Sequence, residues 1–128
     1  MRQAGIVAAA CVYALDGVVE RLAEDHARAR RLAEGLHEVG VPVDLEQVET
    51  NFVQIDVGSL GLEIDDAIER ILVAGIRVSG TARPGRVRAV THLGIGDEDI
   101  EHAIDAIPRG LGVQPRSPAM KNAPATQT

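Results

Sequence analysis

The chain has 128 residues, enough for one domain with a modest core, and its net charge of −6 with a pI near 5.1 argues against the basic footprint that sequence-independent nucleic-acid binding requires. Apolar residues make up 45% but aromatic residues only 2%, so the core is aliphatic and stacking on bases or sugars is not its chemistry. No stretch approaches the roughly 18 apolar residues of a membrane span, no signal-peptide layout is visible, and the single cysteine, Cys11, excludes an internal disulfide or a multi-cysteine metal site. A cytoplasmic location is the default expectation.

Residues 1–15 are rich in alanine and aliphatic residues, with Arg2 the only charged side chain. A helix here has no polar stripe and needs cover on nearly every side. A domain this small cannot supply it, which predicts a missing layer, either more of a longer protein or a partner subunit. Cys11 and Tyr13 read as packing residues.

Asp16 is placed to N-cap a second helix over 17–39. Val18, Val19, Leu22, Ala29, Leu32, Ala33, Leu36 and Val39 recur at three- and four-residue steps, with Glu24, Asp25, Arg28, Arg31 and Glu34 on the wet face. Glu24/Arg28 and Arg30/Glu34 have the i,i+4 spacing of ion pairs. Gly35 costs that helix about 1 kcal/mol against alanine. His26 and His37 belong to the solvated side, and Gly40 is the stop.

Val41-Pro42-Val43 is a short extended piece, and Asn51–Val57 alternates Phe52, Gln54 and Asp56 with Val53, Ile55 and Val57, the pattern of a half-buried strand. A third helix over 63–74 has Ile64, Ala67, Ile68, Ile71 and Leu72 as its apolar stripe. Ile76–Ser79 begins a strand that the short 80–85 link joins to the next as an antiparallel hairpin.

The next stretch, Arg86-Val87-Arg88-Ala89-Val90-Thr91-His92-Leu93, is the most informative in the chain. Val87, Ala89 and Leu93 alternate with Arg86, Arg88 and His92, and no aspartate or glutamate lies between Gly85 and Gly96. An arginine fork fits a carboxylate bidentately, so this acid-free face is a candidate anion site, set against the alternative of a solvated strand face. A fourth helix over 97–107 opens on Asp97-Glu98-Asp99 at the positive end of its dipole, and Pro108 is expected to stop it. Glu98 and His102, at i,i+4, lack a third ligand and read as a surface pair rather than a metal site. Residues 112–128 carry prolines and small polar residues without periodicity, as in a disordered tail.

The order helix, helix, strand, helix, strand, strand, helix predicts an α+β fold: a small antiparallel or mixed sheet of three or four strands with helices on one face.

Taken together, Met1-Arg2-Gln3-Ala4-Gly5-Ile6, the Glu20–His26 segment, the strand opening Thr50-Asn51 and Arg88-Ala89-Val90-Thr91-His92-Leu93 resemble the C-terminal third of low-specificity L-threonine aldolases, in the aromatic β-eliminating lyase/threonine aldolase group of fold-type-I pyridoxal-phosphate enzymes. The resemblance runs from Met1 to about Ile107. It implies the C-terminal small domain of such an enzyme (16–111), preceded by an apolar connecting helix (1–15) that packs on the large cofactor domain. It also implies aldol cleavage of a β-hydroxy-α-amino acid, such as threonine or allo-threonine, to glycine and an aldehyde, and a homo-oligomer, dimer or tetramer. Arg88 would hold the substrate α-carboxylate, and Arg2 would lie near the cofactor phosphate or the active-site entrance. Arg86 and His92 match less specific positions.

The family's catalytic lysine and most of its cofactor contacts would lie outside this stretch. Twelve of the thirteen basic residues are arginine, and the only lysine, Lys121, falls in the expected tail. No catalytic or metal residue is therefore assigned to the chain, and no pyridoxal phosphate is expected on it alone. The implied picture is a fragment or late start, inactive by itself. The competing expectation is a stand-alone, non-catalytic α+β module that dimerises or binds a small carboxylate.

Overall fold

Apolar stripes at helical spacing, separated by glycine stops, set the order of elements in a computed structural model of the chain, which describes residues 2–114. The elements are α1 (Ala4–Gly17), α2 (Leu22–Glu38), β1 (Phe52–Asp56), α3 (Ile64–Val73), β2 (Ser79–Gly80), β3 (Arg86–Val90) and α4 (Asp97–Leu111), in the order expected from sequence.

Three of the helix ends are closed by glycines in the left-handed region; after α3, Gly75 (φ 95°) lets the Ile76 N–H donate to the Ile71 carbonyl at 3.1 Å. After α2, Gly40 (φ 97°) lets the Val41 N–H donate to the Leu36 carbonyl at 3.0 Å. After α4, Gly112 (φ 73°) lets the Val113 N–H donate to the Pro108 carbonyl at 2.9 Å. These six-to-one bonds satisfy carbonyls that a helix end otherwise leaves bare.

Two expected boundaries fail for identifiable reasons. Pro108 does not stop α4, which continues to Leu111. Proline's fixed φ is helical, so its cost is one missing N–H bond, and the buried Ile107, Pro108 and Leu111 hold the last turn on the core. Nor does Asp16 cap α2. Helix α1 runs through it to Gly17, and a short 3-10 turn, Val19–Arg21, follows before α2. The backbone at Val18 and Arg21 stays right-handed helical, which leaves no extended residue for a capping side chain to act from.

The sheet is three-stranded and antiparallel, in the order β1-β3-β2, so the arginine-bearing strand is central. Its register sets Val53 opposite Ala89, Gln54 opposite Arg88, Ile55 opposite Val87 and Asp56 opposite Arg86. Val53, Ile55, Val87 and Ala89 are buried on one face, where Leu32 and Leu36 of α2, Ala67 and Ile71 of α3, and Ile100, Ala103 and Ile107 of α4 complete the core. The fold is thus α+β, with α2, α3 and α4 packed on one face of a small antiparallel sheet.

Three finer expectations are corrected. Leu93 lies beyond the end of β3 and is 54% exposed rather than inward. The strand expected at 76–79 pairs only over Ser79–Gly80, because Val78 turns into the core and draws the preceding residues off the β3 edge. Leu72, assigned to the stripe of α3, is 50% exposed. The extended piece at 41–43 contributes one bridge, Val43 to Ile55.

Helices α2 and α4 are also joined by charge. Arg28 donates to Asp97 at 2.8 Å and Arg31 to Glu101 at 2.9 Å. The bond to Asp97 raises the Arg28 pKa above the ordinary arginine value. The expected Glu24/Arg28 and Arg30/Glu34 pairs form along α2. Helix α1, by contrast, buries none of its residues, and no helix among the described residues is long and apolar enough to cross a membrane.

Candidate functional site

Arg88 sits in the middle of the central strand, on the face turned away from the helix layer, because its neighbours Val87 and Ala89 are the ones drawn into the core. The strand on its other side is short, and where residues 76–78 diverge from β3 a cavity of about 570 Å³ opens between 75–79, 88–92 and α4, with Leu32, Ile100, Ala103 and Ile107 of the helix layer in its wall. Arg77, Ser79, Arg88, Thr91, His92 and His102 are among its lining residues.

The surroundings of Arg88 suit anion capture. Its guanidinium carbon lies 4.9 Å from the centroid of the Phe52 ring, a cation–π arrangement that holds one face of the fork. No carboxylate pairs with it among the described residues, and its Nε is buried without a hydrogen-bond partner. The Oε1 of Gln54, the residue directly opposite in the register, is likewise buried and unpartnered. An unmet buried polar group costs about 1–3 kcal/mol, so two of them beside one another mark a place where packing is not optimised for stability alone.

Arg86 separates from this site. Asp56, its cross-strand partner, approaches it at 3.8 Å, so its charge is met within the chain. The same Asp56 carboxylate accepts the Ser59 N–H at 3.0 Å, which ties it to the turn after β1.

His92 lies beside Arg88 on the cavity wall. Its Nδ1 accepts the Gly94 N–H at 3.1 Å, and its carbonyl accepts from Ile95 at 2.8 Å, so the ring is tied to a tight turn. The turn is anchored at Thr91. The Thr91 hydroxyl donates to the Asp25 carbonyl at 2.7 Å, and its backbone exchanges bonds with Asn51.

Arg2 does not join this group. It lies exposed before α1, in a separate shallow depression with Gln3, Ile6 and Val7. His26 and His37 are exposed, the latter with Nδ1 3.2 Å from the Val43 carbonyl. Among the described residues no three histidine, cysteine or acidic side chains cluster as a metal site. Lys121 lies outside the described residues, as do residues 115–128 of the expected tail.

Sequence reasoning missed Phe52, Gln54 and Asp56 as partners of the arginines. Their alternation was visible, but the register that pairs them with β3 was not. Arg77, which lines the same cavity, carried no signal of its own.

Residues 1–58 match the family described as beta-eliminating lyase. The chain is 36% identical over 108 residues to the probable low-specificity L-threonine aldolase 2 of Arabidopsis thaliana, covering 81% of this chain and 30% of that protein. It is 41% identical over 100 residues to the low specificity L-threonine aldolase of Escherichia coli, covering 78% of this chain and 28% of the relative.

The chain is similar to part of the low-specificity L-threonine aldolases.

It spans about 30% of the length of the curated relatives it matches. Among solved structures, Pyrococcus protein-A1 superposes with a TM-score of 0.59 at 26% identity, over 73% of this chain and 25% of that one. A Thermus thermophilus aspartate aminotransferase variant superposes with a TM-score of 0.54 at 25% identity, over 68% and 24%. The fold described above, four helices and a small three-stranded antiparallel sheet, is shared with part of these fold-type-I pyridoxal-phosphate enzymes.

Proposed function

We propose that this chain is the substrate-carboxylate-binding, C-terminal domain of a pyridoxal-phosphate-dependent threonine aldolase, which cleaves a β-hydroxy-α-amino acid such as L-threonine or L-allo-threonine to glycine and an aldehyde. The observation that carries this is Arg88: a guanidinium on the central strand beside Phe52, in a residue that lines a cavity, and paired with no carboxylate among the described residues.

The residues present fit a place beside the cofactor. Arginines and histidines can hold anionic groups, whereas the described residues include no lysine to carry it covalently. Pyridoxal phosphate, held by the remainder of the enzyme, supplies the electron sink for carbon–carbon cleavage. Arg88 supplies a bidentate grip on the α-carboxylate, which orients the substrate so that the Cα–Cβ bond is presented for cleavage. The fixed turn at Thr91-His92 walls the same cavity. Arg2, at the start of α1, lies near the cofactor phosphate or the entrance, and α1 docks on the cofactor domain. The assembled enzyme is a cytoplasmic homo-oligomer, a dimer or tetramer.

The test is to assay threonine cleavage in the enzyme assembled with its cofactor-binding portion, with Arg88→Lys as the key variant. The proposal expects cleavage by the assembled protein, a large rise in KM in the variant, and no borohydride-stable pyridoxal adduct on the 128-residue chain alone. Such an adduct, or an unchanged KM, would overturn it.

A further inference from the structure

We infer that Gln54 is a positioning residue for Arg88, fixing which edge of the guanidinium is offered to the substrate. The inference rests on the assignment of Arg88 as the carboxylate-binding arginine and deepens it.

Three observations converge. Gln54 and Arg88 are direct partners in the antiparallel register of β1 and β3. Directly opposed side chains start about 4.5–5.5 Å apart at Cβ, so a glutamine amide reaches the Nε of an arginine without backbone movement. Arg88 Nε and Gln54 Oε1 are the two buried side-chain atoms without a hydrogen-bond partner among the described residues. One is a donor and the other an acceptor, so each is the complement the other lacks.

Both atoms are closed off from solvent, which decides between two uses of the pair. A ligand cannot reach them, so they serve each other rather than the substrate. A guanidinium has two edges that can take a carboxylate bidentately: the Nε–Nη side and the Nη–Nη end. The structure leaves the two unbonded; a side-chain rotation of Gln54 that closes the Nε–H to Oε1 bond spends the side-on edge and leaves the end-on edge. The guanidinium carbon lies over the Phe52 ring, 4.9 Å from its centroid. Gln54 therefore fixes the in-plane rotation and Phe52 the tilt, so Arg88 meets its carboxylate already oriented.

The experiment is heteronuclear NMR of the Arg88 Nε–Hε group in the 128-residue chain, assigned by its disappearance in Arg88→Lys. Gln54→Met keeps the volume but removes the amide acceptor, and Gln54→Glu replaces it with a stronger, charged one. The inference expects the Hε resonance to move upfield in Gln54→Met and downfield in Gln54→Glu; a resonance unmoved in both, or moved the same way in both, overturns it. Kinetics in the assembled enzyme separate this from the assignment it rests on. A roughly tenfold rise in KM with little change in kcat in Gln54→Met supports the positioning role. An unchanged KM there, with KM raised in Arg88→Lys, removes the role while keeping Arg88. An unchanged KM in Arg88→Lys removes the carboxylate assignment and with it the functional half of the inference.

Discussion

Gly35 of α2 and Ile104 of α4 meet with no room for a methyl group between them: a Cβ built on Gly35 would lie 2.5 Å from Ile104 Cδ1 and 2.8 Å from its Cγ1. From sequence alone this glycine is only a weak point in a helix. In the fold it is the seam along which two helices of the core close. Gly35→Ala gains about 1 kcal/mol of helix propensity but forces a buried β-branched side chain off its rotamer, which costs typically 1–3 kcal/mol. The net effect is a loss of stability of up to about 2 kcal/mol, and shortening the neighbour to valine, which has no Cδ1, recovers part of it. Urea unfolding of Gly35→Ala, Ile104→Val and the double variant tests this, and simple additivity of the two single effects would count against the contact.

The two arginines of β3 predict opposite behaviour despite their identical chemistry. Arg86 has its countercharge in Asp56 at 3.8 Å, a partly exposed pair of the kind worth about 0–1 kcal/mol. Arg86→Ala should therefore change stability by less than about 1 kcal/mol and leave KM for the amino acid nearly unchanged. Arg88→Lys replaces a bidentate fork by a point charge and loses hydrogen bonding to a charged group worth roughly 1.5–3 kcal/mol, a rise in KM of about 10- to 100-fold. Steady-state kinetics on the two variants side by side decides it. Equal effects would mean that the strand face acts only as diffuse positive charge.

What could be read before the fold was known follows a physical division. Period-two alternation in Asn51–Val57 and Arg86–Val90, and the three- and four-residue steps of α2, α3 and α4, report burial, and burial is what sequence patterning encodes. The element order came from that signal, which also set Arg86, Arg88 and His92 on one strand face; the choice of Arg88 among them came from the family resemblance. Cross-strand register did not, because it depends on which residue of β1 meets which of β3. The separation of Arg86 from Arg88, and the facing of Gln54 and Arg88, appear only once the strands are aligned. Pro108 and Asp16 misled for a related reason: local stop and cap preferences are worth a few kcal/mol at most, and tertiary packing of Ile107 and Leu111 or a continuous helical backbone outweighs them.

Thr91 provides the link between the arginine strand and the helix layer. It is 2% exposed, and its hydroxyl donates to the Asp25 carbonyl at 2.7 Å, joining residues 66 positions apart. Thr91→Val preserves shape and removes the donor, so it should cost about 0.5–1.5 kcal/mol, the net worth of a neutral hydrogen bond. Because the His92 turn follows directly, the Gly94 amide should also lose protection. Hydrogen exchange of the Gly94 N–H is the direct readout; unchanged protection at Gly94 with lowered global stability would confine Thr91 to a purely structural tie.

Helix α1 makes the last prediction, and it concerns what is not buried. Ile6 is 75% exposed, Val12 56% and Leu15 72%, so these side chains contribute almost nothing to the core of the described fold. Apolar surface of this kind drives association, at about 25 cal/mol for each Å² removed from water. Replacing Ile6, Val12 and Leu15 by serine should leave the unfolding free energy of the chain within about 0.5 kcal/mol, as for surface changes generally. The same triple variant should self-associate less, which sedimentation velocity over a concentration series measures directly. It should also fail to complement the cofactor-binding portion in the threonine-cleavage assay, because the face that docks there has been made polar. Full complementation by the triple variant would remove α1 from the docking surface.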